Sequence, residues 1–326
     1  MAKARVVRIH EPGPAENMRV ETIDLPEPQA GEVQLRQTAL GFNFIDIYQR
    51  KGIYPLPLPT GLGHEAAGVV EAVGAGISDI KTGDRVGYIN AGLGAYAERR
   101  NVPAEKLVKL PEGMSEEKAA AILFKGLTAQ YLLRKTYKVG KGDLMLVHAA
   151  AGGVGQILCR WGKALGATVI GTVGGPAKRE QALKAGAEHV IDYSKDGWVK
   201  AFLEATGGRK ANVVYDSVAK DTFLHSLDCT APFGMVVLFG AASGPAPAIE
   251  PELLNKKGCL FLTRPSVFPH NADVKNLRTN ADDLLSAVKA GAVDVAIGAR
   301  FRLDEIVAAH RAVESRTTQG AVVITP

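Results

Sequence analysis

Cysteine is scarce: three in 326 residues, at Cys159, Cys229 and Cys259, with none in the first part of the chain. Their odd number and wide spacing exclude a disulfide framework and a cysteine-rich zinc lobe. Each lies in a helix-like or strand-like context and reads as a buried thiol of a reducing compartment. Long apolar runs are missing too. No stretch reaches the roughly 18 apolar residues that a membrane span needs. The opening MAKARVVRIHEPG has no apolar core of the kind a secretory signal carries. A cytoplasmic protein with no membrane partner is expected. Charge is not blocked: the net +5 is spread along the chain, with no basic run. Scattered charge argues little for nucleic acid and suits solubility plus an anionic small molecule. Internal repeats and low-complexity segments are absent.

What is present is a glycine-rich turn. Residues 144–165 read LMLVHAAAGGVGQILCRWGKAL. An apolar run closes on His148. Seven small or apolar residues follow, and then Val154, Ile157, Leu158, Trp161 and Leu165 recur at helical spacing. Strand, tight turn and helix in this order place backbone N–H groups at the positive end of a helix, where a pyrophosphate binds. The motif is G-x-G-x-x-G with Ala150 in the first place and Gly152 and Gly155 in the others. No Gly-Lys-Ser/Thr follows, which excludes a phosphate loop of the nucleotide-triphosphatase type. The expected ligand is a dinucleotide.

Around this turn the chain divides. Residues 4–125 carry short strands at Arg5–Ile9, Val33–Leu40, Gly68–Val73, Arg85–Tyr88 and Leu107–Lys109, separated by Pro- and Gly-rich turns, a pattern of a small barrel or sandwich. A short helix is expected over Asn43–Arg50 and a loop over Gly52–Gly63. Ser115 with Glu116 and Glu117 reads as a helix start, and Lys125–Lys135 as a second helical stretch. From Leu144 strands and helices alternate: strands near 144–148, 168–173, 189–191, 213–216, 235–239 and 259–263, and helices near 153–165, 177–185, 198–205, 222–229 and 281–290. This implies a doubly wound parallel sheet. The tail returns to a helix (303–315) and a strand (321–324) that could rejoin the first domain.

The second strand of the alternating part ends at Val173. A site for NAD places an acid there for the ribose 2′-hydroxyl. Here Gly174-Gly175-Pro176-Ala177-Lys178-Arg179 follows. Lys178 or Arg179 would neutralise a 2′-phosphate and Gly174 would leave room for it, so NADPH is favoured over NADH.

With Asn43-Phe44-Ile45-Asp46, Gly61–Gly68, Gly83–Val86, Lys125–Thr128, His148–Gly155, Tyr215–Ser217, Thr263–Ser266 and Glu314–Arg316, the chain resembles the zinc-independent quinone oxidoreductases of the medium-chain dehydrogenase/reductase superfamily, the zeta-crystallin-like group, and above all the bacterial NADPH:quinone reductases. The resemblance implies an α/β protein: a GroES-like β-barrel catalytic domain (1–125 and 298–326), a Rossmann NADPH-binding domain (126–297), and an active site in the cleft between them. It implies a homodimer paired through Rossmann sheet edges.

It also implies site roles. Gly152, Gly153 and Val154 would face the pyrophosphate. Gly174, Lys178 and Tyr193 would hold the 2′-phosphate, and Ser217 would sit by the adenine ribose. Asn43, Asp46, Thr128, Phe239, Gly240, Arg264 and Pro265 would surround the nicotinamide half, and Arg316 would reach the cofactor from the tail. Tyr48 and Tyr54 would border the acceptor pocket, with Asn43 helping to position the acceptor. The reaction implied is NADPH-dependent reduction of quinones. Two alternatives remain: reduction of the C=C bond of enones or 2-alkenals with Tyr54 as proton donor, and a non-catalytic NADPH-binding protein with a crystallin-like or RNA-binding role.

Zinc is not expected. Gly63-His64-Glu65 supplies a zinc ligand in related alcohol dehydrogenases, but Asn43 stands where those enzymes carry a cysteine. One His and one Glu fall short of the three protein ligands of a catalytic zinc site. His64 then reads as a packed, hydrogen-bonded residue or a polar group of the cleft, and His148 as a packed one.

Overall fold

The computed structural model describes residues 2–315 and 318–326. The chain forms two compact units, Met1–Leu127 with Phe268–Leu285 and Ala296–Pro326, and Thr128–Val267 with Ser286–Val295.

In the first unit, strands Ala2–Ile9, Met18–Leu25 and Thr60–Gly61 make a small sheet. A second sheet runs in the order Ile297–Arg302, Ala321–Thr325, Glu32–Gly41, Glu65–Val73, Arg85–Ile89, Leu107–Lys109, with Arg99–Pro103 also paired to Glu32–Gly41. Val33, Leu35, Leu40, Ala66, Val70, Val86, Tyr88 and Ile324 are buried in the shared core. The expected tail strand does rejoin this unit, lying antiparallel to Glu32–Gly41 (Val323 opposite Gly41) and parallel to Ile297–Arg302. The short helix is Phe44–Arg50, capped at Asn43, with Asp46 accepting the Asn43 backbone N–H at 2.9 Å. Its last residue, Arg50, is fully buried and donates to Gly13 O at 2.8 Å and Glu314 Oε2 at 2.6 Å. That charge joins the N-terminal turn to the C-terminal helix Ile306–Glu314.

The two helical stretches expected after Ser115 are one helix, Glu116–Tyr131, followed by a wide π turn over Leu132–Thr136. Ser115 Oγ accepts the Lys118 N–H at 3.2 Å, as an N-cap does. The Leu132 carbonyl closes the π turn by accepting the Tyr137 N–H at 3.2 Å, and it also accepts from Tyr215 Oη at 3.0 Å.

The second unit is a six-stranded parallel sheet in the order His189–Asp192, Thr168–Val173, Leu144–Val147, Ala211–Asp216, Thr230–Leu238, Phe261–Thr263. In chain order this is 3-2-1-4-5-6, the doubly wound arrangement whose ligands bind beyond the carboxyl ends of the strands. Leu144, Met145, Leu146 and Val147 are all buried at its centre, each stabilising the fold by about 1.5–3 kcal/mol.

Four strands escape the sequence patterns: Met18–Leu25, Arg99–Pro103, Ile297–Arg302 and the two-residue Thr60–Gly61, which lies within the expected loop Gly52–Gly63 and pairs with Arg8 and Ile9. The cysteine expectation needs one correction. Cys159 and Cys229 are buried, but Cys259 is exposed, because the chain turns there at φ 57° before the edge strand Phe261–Thr263.

Candidate active site

The glycine-rich turn leaves the middle strand through Ala149, which takes φ 51°. Gly152 caps the helix Gly153–Ala164, and its N–H donates to Ala149 O at 2.8 Å. A Cβ on Gly155 would fall on Ala149 O, so only glycine lets the helix start so close to the strand. Ala150, in place of the first glycine, has a physical explanation. Its methyl is buried, and a Cβ on Gly171 of the neighbouring strand would sit 2.8 Å from it. The room that a first glycine would leave is supplied from across the sheet. Gly152, Gly153 and Val154 thus stand together at the N-terminus of a twelve-residue helix.

At the end of Thr168–Val173 no acid appears. A Cβ on Gly174 would lie 2.8 Å from Tyr193 Oη, so the Tyr193 hydroxyl stands directly over that glycine. Lys178, half-buried, ends the 3₁₀ turn Pro176–Lys178. Arg179 is committed elsewhere, donating to the Val190 carbonyl.

Ser217, Phe239, Gly240 and Arg264 meet at the carboxyl edge of the same sheet. Phe239 N–H donates to Asp216 O at 2.9 Å. A Cβ on Gly240 would be 2.6 Å from Ser217 O. Arg264 donates to Leu238 O at 2.9 Å and Gly240 O at 3.3 Å, with Pro265 next in the chain. Thr128 is buried in the helix Glu116–Tyr131, apart from that edge in the chain. Arg316 lies outside the described residues.

Behind this edge His148 is part of a buried relay. Its Nε2 donates to Ser226 Oγ at 3.0 Å, and Ser226 donates to Asp216 Oδ2 at 2.9 Å. Thr172 Oγ1 lies 2.8 Å from Nδ1. Burial holds the imidazole pKa below its ordinary range, with Asp216 opposing. This is the packed, hydrogen-bonded histidine that the sequence suggests.

The first unit holds a second polar cluster, at the start of helix Phe44–Arg50. Asn43 Nδ2 donates to Glu65 Oε2 at 2.9 Å, and Lys125 Nζ donates to Asn43 Oδ1 at 3.0 Å and to Phe42 O at 2.9 Å. Phe124 N–H donates to Glu65 Oε1 at 2.6 Å. Lys125 Nζ and Glu65 Oε2 form a buried ion pair at 3.5 Å. Burial raises the Glu65 pKa, and Lys125 opposes the rise. Removing either partner of a pair like this costs about 3–5 kcal/mol. Gly41, opposite Glu65 in the sheet, makes the arrangement possible, since a Cβ there would overlap the Glu65 carboxylate. Asp46 accepts from Tyr96 Oη at 2.6 Å, and burial pushes its pKa up to about 7 despite that bond.

His64 donates to Gln49 Oε1 at 2.9 Å between the rings of Phe124 and Phe268, and its Nδ1 has no hydrogen-bond partner among the described residues. Burial, with help from Arg100, lowers its pKa to about 4, so the ring is neutral. Tyr48 and Tyr54 stand edge to face, their centroids 5.5 Å apart, with Tyr54 exposed beside Ile53 and Leu58. Among the described residues no group of three or more His, Cys, Asp or Glu side chains is placed to hold a metal ion.

Glu65 and Lys125 carried no assigned role in the sequence. The signal was there: each is a lone charge in an otherwise apolar stretch, Gly-His-Glu-Ala-Ala-Gly-Val-Val and Ala-Ile-Leu-Phe-Lys-Gly.

A quinone oxidoreductase of Pseudomonas aeruginosa is 48% identical over 92% of this chain and 93% of its own. The chain belongs to the quinone oxidoreductase family. The expected resemblance is borne out, and other members agree with it. A 2-haloacrylate reductase of a Burkholderia species is 44% identical over 98% of both chains. The crystal structure of the Escherichia coli quinone oxidoreductase complexed with NADPH superposes with a TM-score of 0.95 at 44% identity, covering 100% of each chain. The family models match in two pieces, an alcohol dehydrogenase GroES-like domain over residues 29–112 and a zinc-binding dehydrogenase domain over 153–277. The α/β class, a GroES-like part with a Rossmann sheet, is thereby established.

Proposed function

We propose that the protein is an NADPH:quinone oxidoreductase that works without a metal ion. The observation that carries this is the second unit's carboxyl edge: a helix N-terminus opened by Gly152 and Gly155, and a strand end at Val173 with no acid, where Tyr193 Oη covers Gly174 and Lys178 stands nearby. Those residues fit NADPH. The N–H groups of Gly152, Gly153 and Val154 would hold the pyrophosphate. Lys178 and Tyr193 would hold the 2′-phosphate, with Gly174 leaving space. Ser217 would face the ribose, and Asn43, Asp46, Thr128, Phe239, Gly240, Arg264, Pro265 and Arg316 would serve the remainder of the cofactor. When bound, NADPH supplies the hydride, and water supplies the proton that completes a hydroquinone. A quinone already withdraws electrons through two carbonyls and gains aromaticity on reduction. The protein therefore needs mainly to align the partners and keep water out, a task for Tyr48, Tyr54 and Asn43.

Metal-free chemistry is supported by how the candidate ligands are used. Both Glu65 oxygens accept internal hydrogen bonds, and His64 Nε2 is bound to Gln49. A homodimer is supported by the edge strand Phe261–Thr263, where Phe261 is 58% exposed and the adjoining Phe233 is 73% exposed. Three free cysteines support a reducing, cytoplasmic setting.

The 2-haloacrylate reductase among the relatives favours one other reading, reduction of an activated C=C bond. Tyr54, with its exposed hydroxyl-bearing ring, would be the proton donor. NADPH oxidation should be measured with 1,4-benzoquinone, a short alkenone and 2-chloroacrylate. The quinone should turn over fastest. Faster turnover of either alkene would replace the first reading with the second, and tight NADPH binding with no turnover on any acceptor would leave a binding protein.

A further inference from the structure

The polar cluster around Asn43 does more than fill the start of a helix. An asparagine amide has a two-donor end and an acceptor end, and either can face a given neighbour. Here the neighbours allow one choice. Lys125 is a donor only and lies 3.0 Å from Oδ1. Glu65 Oε2, facing the Lys125 ammonium at 3.5 Å, accepts from Nδ2 at 2.9 Å. Turning the amide over would set an ammonium against an NH₂ and a carboxylate against a carbonyl oxygen. The two charges are themselves fixed. Lys125 also donates to Phe42 O at 2.9 Å, and Glu65 accepts the Phe124 N–H at 2.6 Å. Gly41 keeps open the space where Glu65 lies. After these bonds one hydrogen of Asn43 Nδ2 is left, with no acceptor among the described residues.

We infer that Glu65 and Lys125 are positioning residues that lock the Asn43 amide with its remaining N–H directed at the carbonyl oxygen of the acceptor. The inference rests on the quinone reductase reading and gives a role to two residues outside the cofactor site. It also gives the lock a chemical purpose. A carbonyl oxygen gains negative charge as hydride arrives, and a donor held in advance stabilises it, whereas an amide free to turn over would present its own oxygen half the time.

Glu65→Gln, Lys125→Met, Asn43→Ala and the pairwise doubles with Asn43→Ala test it. The readouts are kcat and KM for 1,4-benzoquinone and NADPH affinity by nicotinamide fluorescence. Each single variant should lose roughly 10–100-fold in kcat/KM, with NADPH affinity in Glu65→Gln and Lys125→Met no lower than in Asn43→Ala, whose amide also serves the cofactor. Neither Glu65→Gln nor Lys125→Met should cost anything further in the Asn43→Ala background, because both act through Asn43. Losses that multiply in the doubles, or NADPH affinity that falls in step with kcat/KM, would overturn the proposal.

The Asn43 side-chain amide resonances give a readout that needs no acceptor. In wild type one proton should lie at low field from its bond to the carboxylate. It should move upfield in Glu65→Gln, and in Lys125→Met the pair should broaden as the amide begins to turn over. If wild type ignores benzoquinone but the resonances behave so, the activity is wrong and the lock stands. Unchanged resonances in a folded Lys125→Met protein would remove the lock. If Glu65→Gln does not fold, Lys125→Met decides alone.

Discussion

Three buried histidines are kept neutral by their surroundings. His310 lies against Phe42, ring centroids 4.6 Å apart, and among the described residues neither ring nitrogen has a hydrogen-bond partner. Burial, with a smaller push from Arg50, lowers its pKa to about 3, and His64 is lowered to about 4. Unfolded, both would titrate near 6.5. Between pH 6.5 and about 3 the unfolded chain therefore binds protons that the folded one refuses. Stability from His310 is complete above pH 6.5 and drains away as pH falls, by up to about 1.4 kcal/mol per pH unit. Asp46 acts in the opposite sense, since its folded pKa of about 7 favours the folded state at low pH. The clean measurement is a difference: urea unfolding of His310→Leu and wild type at several pH values. The variant should gain relative stability steadily below pH 6.5, and a constant difference would refute the assignment. At this scale the sequence was half legible. His148 read correctly as a packed residue, and His64, left open between a packed residue and a polar group of the cleft, is buried and bonded to Gln49. His310 drew no attention, because a lone histidine in an amphipathic helix shows nothing of the rings of Phe42 and Tyr96 that pack on it from far away in the chain. The cofactor choice is also a single-residue matter. Lys178→Glu should raise KM for NADPH far more than for NADH in steady-state kinetics, and equal effects would mean that Lys178 does not meet the 2′-phosphate.

Between elements, the turn that joins the strand Leu144–Val147 to the helix Gly153–Ala164 packs tightly on the neighbouring strand Thr168–Val173, the Ala150 methyl against Gly171. Gly171→Ala should destabilise the protein by about 1–3 kcal/mol through overpacking. Moving the methyl across, with Ala150→Gly added, should restore most of the loss. Denaturant midpoints check this, and a double variant no better than Gly171→Ala would mean that another neighbour, such as Ala187, sets the cost. Gly152→Val should abolish cofactor binding by crowding the helix N-terminus, read by fluorescence titration. Most elements of the second unit were legible because the buried strands are apolar runs and helices such as Gly153–Ala164 carry an apolar stripe; the short helix Glu252–Lys256, which buries none of its residues, was not. The missed strands show the limit. Ile297–Arg302, reading IGARFR, is half-buried on one face and exposed on the other, with two arginines in six residues. Only its pairing with Ala321–Thr325 makes it a strand.

For the whole molecule the question is what covers the edge of the six-stranded sheet. Phe233 sits at φ 60°, a conformation costly for a bulky residue, and is nearly bare, with Phe261 and Leu262 exposed beside it in the chain's last strand of that sheet. An unpaired apolar edge invites association. If the proposed homodimer pairs here, wild type should sediment as a dimer and Phe261→Glu as a monomer, and a wild-type monomer would refute the proposal. A dimer that persists unchanged would place the interface elsewhere. Dimerisation came to the sequence reading through family resemblance, since no pattern in Cys259–Thr263 distinguishes an edge strand from an inner one.

The strand Ala321–Thr325 lies beside Gly41 and Leu40, almost the whole chain away. During synthesis those early residues emerge roughly 15–60 s before their partner at ordinary elongation rates. Over that interval the growing chain carries an unmatched β edge with Val33, Leu35 and Leu40 behind it, while the parallel sheet of the later unit is already complete. The order of assembly on the ribosome should therefore invert the order of the sequence, with the first-made part finishing last and most dependent on chaperones.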